Sequence, residues 1–327
     1  MYVAEAGPGQ PPAGPRLPLV FAPFLYLEPA HQALQAGRGP VLSFYLEDKV
    51  LGSTAAQLFV VPDYLRPGRA ASPGQATFGG VQLAAGVPVA ALHRLLGQAE
   101  EVLHQRGQRT FTIKGYPFCY DPAGATTLAE ALRQRGYTAV LAEENYYLDL
   151  GRPYEAHLHP SARRRLAACR RAGLVLEQEP PYLLPAAYEF IAACRAERGQ
   201  PPLSLPLARV QELFRRFPRQ HFLLSVREPG SGQWAALTIA IQASDRVLHN
   251  FYPASPLAFN RLSPAVQLTG GLHQLGCDLG LQVLDLGRST LAGRVPHESL
   301  LRFKRHLGGL PSLKLTWEKT LGNGRNG

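Results

Sequence analysis

Lysine is scarce in this chain. Five of its 34 basic residues are lysines (Lys49, Lys114, Lys304, Lys314 and Lys319), and the rest are arginines. Cysteine is scarce too, with Cys119, Cys169, Cys194 and Cys277 scattered and no Cys-x-x-Cys spacing. That excludes a disulfide-stapled scaffold and suits reduced thiols in a cytosolic protein. No apolar run reaches the roughly 18 residues of a membrane span. Residues 1–18 are rich in Gly and Pro and lack the basic and apolar regions of a secretory signal. The expectation is a flexible leader over 1–18 and a cytoplasmic address. Neither a P-loop nor a Ser-His-Asp motif is present. Acidic residues are outnumbered, 24 against 34, giving a net charge of +10 and a pI near 9.7. Such a balance favours anionic partners (nucleotides, phosphorylated substrates, nucleic acid or a membrane face) without choosing among them, and an arginine-biased genome gives the same count.

What the chain has is periodicity. Its 327 residues, 46% hydrophobic with a mean hydropathy of −0.10, suffice for two domains of roughly 150 residues or one large one. A short helix is expected over Ala30–Gly37. Val41–Leu46 and Ala55–Val61 read as strands around the turn Glu47-Asp48-Lys49. Pro62–Gly74 reads as loop and Gln75–Gln82 as an extended run. Val89, Leu92, Leu95, Leu96, Ala99, Val102 and Leu103 trace a helix face ended by Gly107. A strand at Thr110–Ile113, a helix at Thr126–Arg135 stopped by Gly136, and a strand at Asn145–Leu150 follow.

The second half returns to this order. His221–Val226, Ala235–Ala243 and Val247–Tyr252 are expected strands. Ser263-Pro264 has the pattern of an N-cap and first turn. Leu268, Leu272, Leu275 and Leu279 then make a helical stripe up to Gly280. Val283–Leu286 is a strand, Ser299–Leu307 a helix closed by Gly308-Gly309, and Leu313–Trp317 the last strand. Two runs of β-β-β-α-β-α-β mark a repeat at weak identity. The expected division is a leader (1–18), an N-terminal domain (19–150) and a C-terminal domain (151–327). A helical joining segment, 151–218, carries candidate helices at Ser161–Ala172, Ala186–Arg198 and Leu207–Phe217.

In the last helix Leu300, Leu301, Phe303, Lys304 and Leu307 share one broad face. Four of the five are apolar, so Lys304 lies at the edge of a buried stripe. There it either snorkels to water or meets a partner or ligand.

This order, with Ser72-Pro73, Phe78-Gly79-Gly80, Asn250-Phe251-Tyr252, Ser263-Pro264, Asp285-Leu286-Gly287-x-Ser289 and Ser299-Leu300-x-x-Phe303-Lys304-x-x-x-Gly308-Gly309, resembles the FemAB-like branch of the GNAT acyltransferase superfamily. The resemblance covers roughly Val41 to the end. It implies a mixed α/β (α+β) fold of two tandem GNAT-like domains, each a mixed central sheet flanked by helices. It also implies transfer of an acyl or aminoacyl group to an amine acceptor by direct attack, with cell-envelope precursors among the acceptors. Lys304 then takes a transition-state or phosphate-binding role, and Tyr252 donates to the leaving group or lines the channel. Arg288, Asp285, Ser289, Phe303, Arg261, Gly79 and Gly80 are the candidate substrate-binding residues, and Ser263 a candidate for the co-substrate. Arg288 either holds phosphate or carboxylate bidentately or pairs with Asp285. Since the first copy has Arg133-Gln134-Arg135 and no Phe-Lys pair in its matching helix, the chemistry is expected in the second copy.

The chain also departs from the pattern. Phe259-Asn260-Arg261-Leu262-Ser263-Pro264 and Ala84-Ala85-Gly86-Val87-Pro88 are not glycine-rich pyrophosphate loops, and Ile113-Lys114-Gly115-Tyr116-Pro117 lacks an acidic residue, Asp121 being the nearest. Segment 151–218 is too short and proline-broken for a tRNA-binding helical hairpin. The co-substrate is acyl-CoA or aminoacyl-tRNA, left open, with no metal expected. The expected partners are an anionic acyl donor, an amine acceptor and a possible tRNA contact; the oligomeric state stays unassigned. An acetyl-CoA-dependent N-acetyltransferase, a non-catalytic binding protein on a degenerate GNAT fold and a nucleic-acid binder driven by charge stay open as alternatives. His157 and His159, two apart, lack a metal-ligand partner nearby and read as surface. Arg163-Arg164-Arg165 with Arg170-Arg171 makes a basic helix face.

Overall fold

Near-continuous apolar runs, buried along most of their length, make the first hairpin: β2 (Val41–Asp48) pairs antiparallel with β3 (Ser53–Pro62). The computed structural model describes residues 1–35, 39–63, 66–289 and 298–322. Its remaining elements, in chain order, begin with β1 (Tyr2–Ala6) and α1 (Pro29–Gln35) before the hairpin. After it come β4 (Arg69–Ser72), β5 (Val81–Leu83), α2 (Val89–Gln105), β6 (Thr110–Lys114), α3 (Pro122–Gln134) and β7 (Thr138–Asp149). Next are α4 (Tyr154–His157), α5 (Pro160–Arg171), β8 (Val175–Glu179), α6 (Leu184–Glu197) and α7 (Leu207–Arg216). The chain continues with β9 (His221–Arg227), β10 (Trp234–Gln242), β11 (Val247–Asn250), α8 (Ala265–Asp278), β12 (Val283–Arg288), α9 (Glu298–His306) and β13 (Leu310–Thr320).

Two compact units result: residues 1–143 with 313–327, and residues 144–312. The split falls at other places than the expected 150/151 because β7 runs from one unit into the next and β13 returns to the first. In unit 1 the strand order is β1-β2-β3-β4-β6-β13, with β5 also on β3. There β4 and β6 pair in parallel, and β13 joins β6 antiparallel from Thr316↔Lys114 to Thr320↔Thr110. Unit 2 runs β7-β12-β11-β10-β9-β8, with β11 and β12 its parallel pair. The expected helix face of α2 is the core of unit 1, where Leu92, Leu95, Leu96, Ala99 and Leu103 are wholly buried against Phe111, Ile113, Leu128 and Leu132. In unit 2, Leu268 and Leu272 of α8 pack with Leu248, Leu284 and Leu286. Each unit is a mixed sheet flanked by helices.

Several expectations change. The leader is tied down: β1 pairs with β2, Tyr45 donates to the Ala13 carbonyl at 2.8 Å, and Thr54 donates to that of Leu17 at 2.7 Å. The segment read as loop at 62–74 holds β4, a short Arg-Ala-Ala-Ser strand whose order comes from its neighbours β3 and β6. The joining segment holds β8, which extends the sheet of unit 2 beside β9. Leu279 follows the last residue of α8 and is 39% exposed instead of completing the stripe. The expected stop of the first helix, Gly37, lies outside the described residues.

Candidate active site

In unit 2 the parallel pair turns polar where it ends. Val247↔Val283 and Leu248↔Leu284 are apolar, and the last pair is His249↔Asp285. Strand β11 stops at Asn250, while β12 continues to Arg288. Carboxyl ends of parallel strands are where open α/β sheets leave room for ligands. Here they carry buried His249, Asn250, Asp285 and Ser289, with Asn145 added from β7. Asp285 Oδ1 accepts from Asn145 Nδ2 at 2.7 Å and from the Gly287 N–H at 2.7 Å. Its Oδ2 lies 3.9 Å from His249 Nε2. Asn250 Oδ1 accepts from the Thr238 hydroxyl of β10 at 2.6 Å. The Ser289 hydroxyl is buried and has no hydrogen-bond partner among the described residues.

Helix α9 brings Lys304 to this cluster, 5% exposed rather than at the edge of a stripe. Its Nζ donates to the carbonyls of Gly287 (2.6 Å) and Arg288 (2.8 Å). Burial pushes the ammonium down to about 7, and the negative charge of Asp285 works the other way. The Lys-x-x-x-Gly-Gly spacing is a helix stop. Gly308 N–H donates to Arg305 O and Gly309 N–H to Lys304 O, both at 2.9 Å, which is the Schellman arrangement. Gly308 has φ +77°, and a Cβ there would overlap the His157 carbonyl oxygen. The paired glycines therefore fix the backbone of Lys304 while its side chain grips the end of β12.

No family model and no curated protein matches the sequence. Among solved structures, FemX superposes with a TM-score of 0.66 at 11% identity, over 86% of this chain and 88% of FemX. A conserved protein of unknown function from Bacteroides thetaiotaomicron gives 0.57 at 10% identity, covering 82% and 83%. L-PGS from Bacillus licheniformis gives 0.55 at 12%, covering 91% and 88%. The chain has the fold of FemX.

Of the candidate residues, Lys304 and Asp285 lie together, with Ser289 one residue beyond the β12 end. Arg288 is exposed and gives its carbonyl to Lys304. Phe303 is half-buried and packs on the core of unit 2. Tyr252 is engaged elsewhere: its hydroxyl is hydrogen-bonded to Ser204 Oγ at 2.6 Å and accepts the Leu205 N–H at 3.2 Å, and burial raises its pKa. A row of rings, His249–Phe251 at 5.6 Å and Phe251–Tyr252 at 4.0 Å, runs from it to the cluster. Arg261 is exposed in the turn before α8. Ser263 makes no capping hydrogen bond; it sits at φ +58°, and helical backbone begins at Pro264.

Gly79 and Gly80 serve the interior of unit 1. A Cβ on Gly79 would lie 2.5 Å from Pro73 N, its N–H donates to Lys114 O, and Gly80 N–H donates to Ser72 Oγ. Phe78 beside them is ringed by Phe24, Tyr26, Tyr116 and Tyr120. Asp121, the nearest acid to the expected position, caps α3 through the Gly124 N–H. His157 and His159 part company, the first to the Asp149 carbonyl, the second stacked on His306. Sequence reading missed His249 and Asn145. For His249 the signal is a polar residue after the apolar Val247-Leu248, where burial demands a partner; Asn145, next to Glu143 and Glu144, gives no such signal. Among the described residues no group of three or more His, Cys, Asp or Glu could hold a metal, and no helix is long and apolar enough to cross a membrane.

Proposed function

We propose that the chain is an acyl- or aminoacyltransferase that joins the acyl group of an activated carrier to an amine, with a cell-envelope precursor as acceptor. The observation that carries this reading is Lys304, buried at the carboxyl end of β12 beside Asp285 and His249, on a FemX-like fold. Direct attack needs the amine and the acyl carbonyl held together and a donor for the developing oxyanion. The Ser289 hydroxyl is the proposed donor, with Lys304 acting beside it from its anchor on the Gly287 and Arg288 carbonyls. Exposed Arg288 and Arg261 suit phosphates of the carrier, since guanidinium forks bind phosphate bidentately. Phe303 anchors α9, and Tyr252 sits at the outer end of the ring row. Ser263 keeps only a backbone position before α8.

The donor is acyl-CoA or aminoacyl-tRNA. Calorimetry with CoA beside equilibrium binding with aminoacyl-tRNA decides between them, tight CoA binding selecting the acetyltransferase alternative. On a panel of donors and amine acceptors, wild type is expected to turn over and Lys304→Ala to lose roughly 10²-fold or more in kcat. No turnover by wild type on the panel would leave a binding protein on a degenerate GNAT fold.

A further inference from the structure

Lys304 makes two hydrogen bonds, the number a neutral amine can donate. Both of its hydrogen bonds go to backbone carbonyls, and among the described residues no carboxylate forms an ion pair with it. An ammonium buried without an ion pair is costly, and its third N–H would have no acceptor among the described residues. A neutral amine has two N–H bonds and one lone pair. With Gly287 and Arg288 taking both N–H bonds, the lone pair occupies the remaining direction. The charged group that acts on it is Asp285 on β12, with His249 of β11 3.9 Å from that carboxylate. On its own helix, Arg305 is turned to the Tyr146 hydroxyl and Glu144 of β7. Asp285 acts on the lysine through space and favours its protonated form. Both protonation states are thereby kept within reach near neutral pH.

We infer that Lys304 is the proton shuttle of acyl transfer. Its neutral Nζ accepts the proton released as the amine nitrogen bonds to the acyl carbon. It returns that proton to the oxygen or sulfur of the carrier as the carbonyl–carrier bond breaks. The lysine ends as it began, and the products are the amide and the free carrier alcohol or thiol. This rests on the transferase reading above and replaces a permanent cation by a group that changes charge in each turnover.

The scarcity of lysine makes a direct test practical. Protein labelled with [13Cε]lysine gives five lysine signals, and Lys304→Met identifies one by its loss. That signal is expected to titrate with a midpoint near 7, well below the ordinary lysine value of about 10.4. A Lys304 midpoint above 9 overturns the inference. In kinetics, wild-type kcat is expected to fall tenfold per pH unit below about 7. Lys304→Arg keeps charge and donors but cannot accept a proton, so it should lose 100-fold or more, as Lys304→Met does. A Lys304→Arg enzyme within tenfold of wild type, or one that keeps the acid limb, shows a fixed cation and moves the base to another group such as His249. Circular dichroism of both variants confirms that they fold. Turnover with a high Lys304 midpoint removes the shuttle and leaves the transferase. A midpoint near 7 with no turnover on any donor removes the transferase, and the shuttle with it.

Discussion

At the scale of the residue, a lysine that is ammonium in the unfolded chain and amine in the folded one ties stability to pH. The unfolded chain keeps that proton up to about pH 10.4, the folded chain only up to about 7. Between these values the unfolded state binds the extra proton, so unfolding free energy rises with pH, by at most ~1.4 kcal/mol per unit. Denaturant unfolding at pH 7.5, 8.5 and 9.5 should show wild type gaining on Lys304→Met as pH rises; parallel stabilities would mean that the lysine keeps its proton on folding. Asp285→Asn removes the charge that favours the ammonium. In that variant the Lys304 midpoint, read by the same NMR titration, is expected to move below the wild-type value; an unchanged midpoint would remove Asp285 from the cluster. Lys304 and Asp285 were legible in the sequence because a spaced motif carries them. His249 and Asn145 were not, because Asn145 meets Asp285 across 140 residues of chain, and only strand pairing sets that meeting.

At the scale of the element, glycine stops were the most readable feature. Helices α2, α3, α8 and α9 end at Gly107, Gly136, Gly280 and Gly308 with the same pair of backbone hydrogen bonds. Gly308 and Gly136 share the left-handed conformation but not the surroundings: a Cβ on Gly136 meets nothing within 4 Å. Gly136→Ala should cost about 1 kcal/mol of backbone strain, and Gly308→Ala roughly 2–4 kcal/mol, because the His157 carbonyl is also in the way. Thermal or denaturant unfolding of the two variants measures the difference; equal losses would mean that the approach of His157 carries no weight. Strands were less legible than helices. Short β4 and β8 have no marked alternation and exist because β6 and β9 give them backbone partners, a tertiary override of weak local preference.

At the scale of the whole molecule, unit 1 is built from two pieces of chain 170 residues apart, and β13 supplies the strand beside β6. Trp317 packs on the core of that unit and Leu321 is buried in it. A chain truncated after Ser312 should leave β6 an open edge and expose its apolar neighbours. Limited proteolysis is expected to cut such a chain rapidly within residues 1–143, where the full chain resists. Equal resistance would show that β13 is dispensable to unit 1.

Local physics settled much of this protein from sequence alone. Helical stripes, the β2–β3 hairpin, the glycine stops and the spacing from Lys304 to Gly308-Gly309 each need only a dozen neighbouring residues to be read. Tertiary structure decided the rest. It chose β13 as the neighbour of β6 and β7 as that of β12, drew the N-terminal residues into a strand, and turned Tyr252 toward Ser204. It also closed the interior over Lys304, whose charge no periodicity can set. Burial depends on every element packed around a side chain, and a one-dimensional pattern fixes only which side of its own helix that side chain leaves.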